Sequence, residues 1–252
     1  MGTRFTLAEF SEVFQIRNAY GQPYVLIGGQ AVNYWAERYL ASEPGLQKHL
    51  PFTSEDIDFR GNCEDLQRIA RQLKLSPIFP HRIAMTALAG TIPFHIGGIE
   101  SNIEVVRNIP GVPSGTVDAL AIEAEWGDRK IRVLDPASLL ACKLELALTI
   151  SQQKRQDVEH LKILLFCARG FLRELLVEVD RKNIPAKGWL GTVNRLLRLA
   201  KSSAGRKVER KFGIRCVTFC RLRKSNKVQI QKLHAFGRKI FHGSTVHTRN
   251  EN

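Results

Sequence analysis

The stretch that decides the fold is Thr53-Ser54-Glu55-Asp56-Ile57-Asp58-Phe59, read together with Val25-Leu26-Ile27-Gly28-Gly29-Gln30-Ala31 upstream of it. Asp56 and Asp58 stand two residues apart, so on a strand their side chains share one face. Ile57 and Phe59 then point the other way, toward a core. Two adjacent carboxylates repel unless a cation lies between them, and a hard divalent ion such as magnesium takes one or two carboxylates along with phosphate oxygens. The upstream segment reads as a short apolar strand, a Gly-Gly turn and an apolar–aromatic helix. A turn of that kind lets backbone N–H groups approach a phosphate at a helix start. Asp-x-Asp alone is common in solvated loops, and the order of the flanking elements is what gives this one weight.

Working outward, Thr6 and Glu9 form a capping-box pattern that opens a helix over residues 7–20, with Gly21 as its stop. The pattern predicts a strand at 24–27, a helix at 30–40, a loop at 42–51 and a strand at 56–59. A helix follows at 64–73, then extended structure at 83–94 and a strand at 101–106. On that last strand Asn102, Glu104 and Val106 share one face. Residues 119–125 and 130–134 read as a strand pair around Gly127-Asp128. Asp135 is placed to cap a helix that begins at Pro136 and runs through Leu146. Further helices are predicted around Val158 to Leu165, at 171–181 and at 190–200. Strands mixed with helices, then helices alone, give an α+β class: a mixed sheet flanked by helices, followed by a helical C-terminal region. The division expected is a core at 1–135, a helical region at 136–200 and a basic tail at 201–252 whose composition suits disorder.

Composition narrows the function classes. The chain has 252 residues, 44% of them hydrophobic, enough for a sizeable core. No apolar run reaches membrane-spanning length. The N-terminus lacks the apolar stretch of a secretory signal, and five cysteines at irregular spacing suit reduced thiols rather than a disulfide framework. The expectation is a cytoplasmic protein with no membrane partner. The net charge of +14 is uneven: residues 1–180 carry 19 Lys and Arg against 22 Asp and Glu, whereas residues 181–252 carry 19 against 2. Such a basic segment can neutralise nucleic-acid phosphates, or serve as a solubilising arm. Its Cys216, Cys220, His234, His242 and His247 invite a zinc reading, but their spacing does not suit the usual finger.

Gly28-Gly29-Gln30-Ala31 with Ser54-Glu55-Asp56-Ile57-Asp58-Phe59 resembles the signature of the nucleotidyltransferase superfamily, the polymerase-beta-like fold. Val133-Leu134-Asp135-Pro136 through Lys143, followed by Lys154-Arg155-Gln156-Asp157-Val158, is similar to its abortive-infection branch, the AbiEii-like toxins. The resemblance covers roughly residues 20–170. It implies a metal-dependent nucleotidyltransferase that moves a nucleoside monophosphate from an NTP to a hydroxyl of RNA, especially tRNA, or of a protein. In that reading Asp56, Asp58 and Glu104 are the catalytic carboxylates and hold Mg2+ or Mn2+. Gly28, Gly29, Gln30, Ser54, Lys143 and Asp157 would serve the nucleotide, with Asp157 able to orient Lys143. A toxin role would imply a toxin–antitoxin system and an antitoxin partner.

Two other readings compete. The family commonly has aspartate as the third carboxylate and often an arginine where this chain has Phe52. Those departures suit a nucleic-acid-binding protein on a nucleotidyltransferase scaffold that has lost its chemistry. A small-molecule nucleotidyltransferase, such as an aminoglycoside-modifying enzyme, would need an acidic pocket, for which Glu100, Glu123 and Glu125 are available.

Overall fold

The computed structural model describes residues 3–81, 83–153 and 155–216. Its centre is a six-stranded mixed sheet in the order β3-β4-β2-β1-β6-β5. The strands are β1 (Val25–Ile27), β2 (Asp56–Arg60), β3 (Leu88–Ile96), β4 (Ile99–Val106), β5 (Ala121–Trp126) and β6 (Arg129–Leu134). β3–β4 and β5–β6 are antiparallel pairs. β1 runs antiparallel to β2 and parallel to β6, and β2 runs parallel to β4. A parallel neighbour needs a crossover, and α2 (Cys63–Leu73) lies in the one between β2 and β4. The class is the α+β mixed sheet with flanking helices that the sequence pattern predicts.

Strand alternation sets the two faces. On β2, Ile57 and Phe59 are buried while Asp56 and Asp58 are half-buried, and on β4 Ile103 and Val105 are buried while Glu104 is half-buried. The apolar side chains therefore feed a core on one face, and the carboxylates share the other. β1 is buried along its length, as expected of a strand inside a sheet. Helix α1 (Gly28–Tyr39) follows it directly, and Trp35 ties α1 to the sheet by donating from Nε1 to the Leu134 carbonyl at 2.9 Å.

After a short helix, α3 (Val117–Leu120), four longer helices complete the described chain: α4 (Pro136–Thr149), α5 (Asp157–Asp180), α6 (Ala186–Lys201) and α7 (Ser203–Phe212). Asp135 caps α4 as predicted, its Oδ1 accepting from the Ala137 and Ser138 amides at 2.9 and 3.1 Å. One apolar core runs from the N-terminal segment through the sheet to Trp189, Leu196 and Val208 of α6 and α7. Among the described residues no helix is long and apolar enough to cross a membrane. Cys63, Cys142, Cys167 and Cys216 are free thiols. Cys220, His234, His242 and His247 lie outside the described residues, as does the chain from residue 217 onward.

Several elements differ from the sequence reading. The first helix is a 3-10 helix, Leu7–Gln15, and stops five residues early. Ile16 turns extended and is buried, and the Arg17 amide donates to Gln72 Oε1 at 2.9 Å, so tertiary bonds replace the next turn. Residues 83–87 are not strand, β3 begins at Leu88, and residues 42–51 contain a 3-10 helix, Pro44–His49. The helices expected on either side of Gly170 are one 24-residue helix, α5. Gly170 costs such a helix roughly 1 kcal/mol, but the Tyr39 ring of α1 fills the space: a Cβ there would lie 2.6 Å from it. Glu174 of α5 bonds Arg38 Nη2 at 2.6 Å and Tyr39 Oη at 2.5 Å, and buried Glu43 pairs with Arg169 and Arg173. α5 is thus clamped to α1 and to the segment following it.

Candidate active site

The register of β2 on β4 places Asp58 opposite Glu104 and Asp56 opposite Asn102. Asp56, Asp58 and Glu104 each offer an oxygen within 4.8 Å of the others. Burial pushes all three carboxyls above their ordinary values, and mutual repulsion adds to it: Asp58 feels Asp56 and Glu104, and Glu104 feels Asp56. The proximity of Asp58 to Glu104 partly offsets the rise at Glu104. Ser54 donates from Oγ to Asp56 Oδ1 at 3.3 Å, and the nearby Gly29 amide favours the charged form of Asp58.

The Gly28-Gly29 pair exists for that approach. Gly28 has φ +66°, and a Cβ on it would lie 1.8 Å from Asp58 Oδ2. A Cβ on Gly29 would lie 2.3 Å from Ser54 Oγ and 3.2 Å from His160 Cε1. The missing side chains let β2 close its polar groups onto the start of α1, whose N-cap residue, Ile27, has no side chain to cap it. The positive end of the helix therefore faces the carboxylates. Gln30 is placed otherwise than expected. It is fully buried, donating from Nε2 to the Phe5 carbonyl at 3.0 Å and accepting from Asn33 Nδ2 at 3.0 Å, so its side chain braces the N-terminal segment instead of facing the cavity.

Opposite the carboxylates stand α4 and the start of α5. Lys143 Nζ bonds Asp157 Oδ1 at 2.8 Å, and Arg155 Nε bonds Asp157 Oδ2 at 2.5 Å. Burial alone would raise the Asp157 carboxyl, but Lys143 and Arg155 outweigh it and hold it down at about 2. The Lys143 charge also reaches Asp56 and Asp58. One turn along α5, His160 is 4% exposed and its imidazole is held well below its ordinary pKa by burial and then by Lys143.

These groups line one cavity of about 420 Å³. Gly28, Gly29, Ser54, Asp56, Asp58, Glu104, Lys143 and Asp157 all reach it. Leu88, Val106, Ile109, Pro110, Leu139 and Leu146 add apolar surface to the same lining. Arg155 and His160 are lining residues that the sequence reading did not assign. Arg155 was inside the basic–Asp element, and His160 stands three residues after Asp157, a spacing that shares a helix face. Lys154 lies outside the described residues. Glu100, Glu123 and Glu125 do not line the cavity, and the last two sit on β5, at the sheet edge.

No protein-family model matches the chain, and no curated protein sequence matches it. Among solved structures it is similar to the solution structure of the antibiotic-resistance factor ANT(2'')-Ia, at 13% identity and a TM-score of 0.42, over 71% of this chain and 97% of that one. It is also similar to a crystal structure of an antigenic nucleotidyltransferase-like protein from Paracoccidioides brasiliensis, at 12% identity and a TM-score of 0.37, over 56% of this chain and 66% of that one. At these values neither likeness bears on substrate or mechanism.

Proposed function

We propose that the chain is a metal-dependent nucleotidyltransferase that transfers a nucleoside monophosphate from an NTP to a hydroxyl, releasing pyrophosphate. The observation that carries this reading is the convergence of Asp56, Asp58 and Glu104 beside the start of α1. The donor set fits a hard divalent ion, Mg2+ or Mn2+: all ligand atoms are carboxylate oxygens, they are half-buried, and their repulsion is not relieved by a cation of their own. An ion bound there would supply charge neutralisation at phosphate oxygens and at the acceptor hydroxyl.

The chain's own groups do the rest. The start of α1 presents a positive end to a phosphate chain, and Arg155 and Lys143 add cationic charge beside it. Asp157 fixes the Lys143 ammonium so that it acts as a placed point charge. The apolar side chains of the cavity lining suit a nucleobase. Glu104, held on β4 opposite Asp58, is placed to take the proton from an attacking hydroxyl at a carboxylate oxygen.

RNA, tRNA in particular, is the acceptor we favour. Arg198, Lys201, Arg206, Lys207, Arg210 and Lys211 on α6 and α7 are all exposed, with Glu209 among them. A surface of that sign suits a polyphosphate backbone. The AbiEii-like assignment, with a toxin role and an antitoxin partner, rests on the residues quoted above for that resemblance. The inactive-scaffold alternative drew on Glu104 and Phe52, and the longer Glu104 side chain does bring an oxygen into the same cluster as the two aspartates.

The test incubates the protein with alpha-phosphate-labelled ATP, GTP, CTP and UTP, magnesium or manganese, total tRNA and cell lysate, beside a doubly substituted Asp56→Ala, Asp58→Ala control. Label moved by the native protein alone establishes the reaction, and the labelled band gives the acceptor. Absence of transfer from every nucleotide, with RNA still bound, turns the assignment to the inactive scaffold.

A further inference from the structure

His160 is a buried imidazole with both ring nitrogens lacking a hydrogen-bond partner among the described residues. Burying such groups unpaired is unfavourable, and native proteins seldom do it without a water, a ligand or a function to meet. The ring is not remote from the site. It lines the cavity, and its Cε1 would stand 3.2 Å from a Cβ on Gly29. Cε1, flanked by Nδ1 and Nε2, is the ring atom that faces the side-chain position of Gly29. The charged groups around it are Lys143 on α4, Asp157 and Arg155 at the start of α5, and Arg4 from the N-terminal segment. Three of those four are cations. They discourage a charge on the ring but leave a neutral imidazole free to donate at one nitrogen and accept at the other.

We propose that His160 hydrogen-bonds the phosphate chain of the bound nucleotide, completing an anion site formed with the start of α1, Lys143 and Arg155. This rests on the nucleotidyltransferase reading. The helix start brings oriented backbone donors, Lys143 and Arg155 bring charge, and His160 would bring a directional N–H beside Gly29. The second nitrogen is left to accept from the Lys143 ammonium or from a phosphate-bound hydrogen. Phosphate is favoured over ribose because the groups gathered round the ring are mainly cationic.

The experiment measures equilibrium binding of inorganic tripolyphosphate and of each NTP, with magnesium, to the native protein and to His160→Leu, His160→Asn and His160→Gln. One charge-assisted hydrogen bond predicts a loss of roughly 10- to 100-fold in affinity for both probes in His160→Leu. That variant should melt at the native temperature or above it, because it removes two unpartnered nitrogens. One of the two amide variants should recover most of the affinity, since each keeps an N–H near one ring nitrogen. Unchanged tripolyphosphate affinity in His160→Leu overturns the proposal, and so does a loss confined to nucleotides, which would place the ring on the ribose or base. Should the leucine variant fail to fold, the ring-nitrogen chemical shifts of His160 in the native protein decide: they must move when tripolyphosphate is added. Failure of the native protein to bind any nucleotide sinks the parent reading instead.

Discussion

Two clusters of buried charge face each other across the cavity, and they are built on opposite plans. On the helical side Asp157 is enclosed by Lys143 and Arg155, its two oxygens both paired, and its carboxyl is held low at about 2. On the sheet side Asp56, Asp58 and Glu104 crowd together with only the Ser54 hydroxyl bonded to Asp56 and no cation in hydrogen-bond contact among the described residues, and all three carboxyls are pushed up. The first cluster has its carboxylate fully paired and keeps a net positive charge. The second is incomplete, and an incomplete cluster of one sign at the edge of a cavity is what a cation-dependent site looks like.

The contrast can be broken by mutation. Asp58→Asn should abolish nucleotide transfer, by at least ~100-fold, since misplacing or losing one group at a reacting centre costs about that much. The same variant should leave the metal-free melting temperature unchanged or higher, because it removes repulsion. An Asp58→Asn protein that turns over normally would end the metal reading. Asp157→Leu should act in reverse, leaving Lys143 buried and unpaired and costing about 3–5 kcal/mol in urea unfolding. Stability within error of native would mean that Asp157 is not a structural partner of Lys143.

A smaller effect sharpens the same difference through pH. For the sheet cluster the folded pKa values lie above the unfolded ones, so its stabilising contribution is full below the ordinary carboxylate range and is lost as pH rises through the folded values. For Asp157 the folded value is lowered to about 2, so its contribution is present above the ordinary range and is lost as pH falls toward it. A divalent ion replaces protons only in the first cluster. The rise in melting temperature on adding manganese should therefore grow as pH climbs above the ordinary carboxylate range. A metal increment that is flat or shrinking over that climb would count against the ion binding there.

The acidic pair was legible in the sequence because a strand has period two, and Asp-Ile-Asp-Phe separates its faces without help from the rest of the chain. Glu104 was legible for the same reason on its own strand, but its meeting with Asp58 depends on the β2–β4 register, which no local spacing encodes. Gly28 and Gly29 were expected to admit a phosphate. In the fold the space they leave is entered by Asp58 and Ser54, a contact between segments nearly thirty residues apart. Gln30 misled because its place after the glycines suggests a ligand contact, whereas its amide is consumed by the Phe5 carbonyl of a segment far away in sequence. The segments at 158–165 and 171–181 gave no sign that they form one helix, in which Tyr39 occupies the space beside Gly170.

That last packing has a mechanical consequence. From His160 to Glu174 helix α5 is a beam of about 21 Å, fastened to α1 by Gly170 against Tyr39 and by Glu174 with Arg38 and Tyr39. A beam braced in this way carries displacement without bending, so the wall bearing Asp157 and His160 travels together with the helix that starts at Gly28. Residues 86–88 and 108–110, which also line the cavity, belong to neither of the two braced helices.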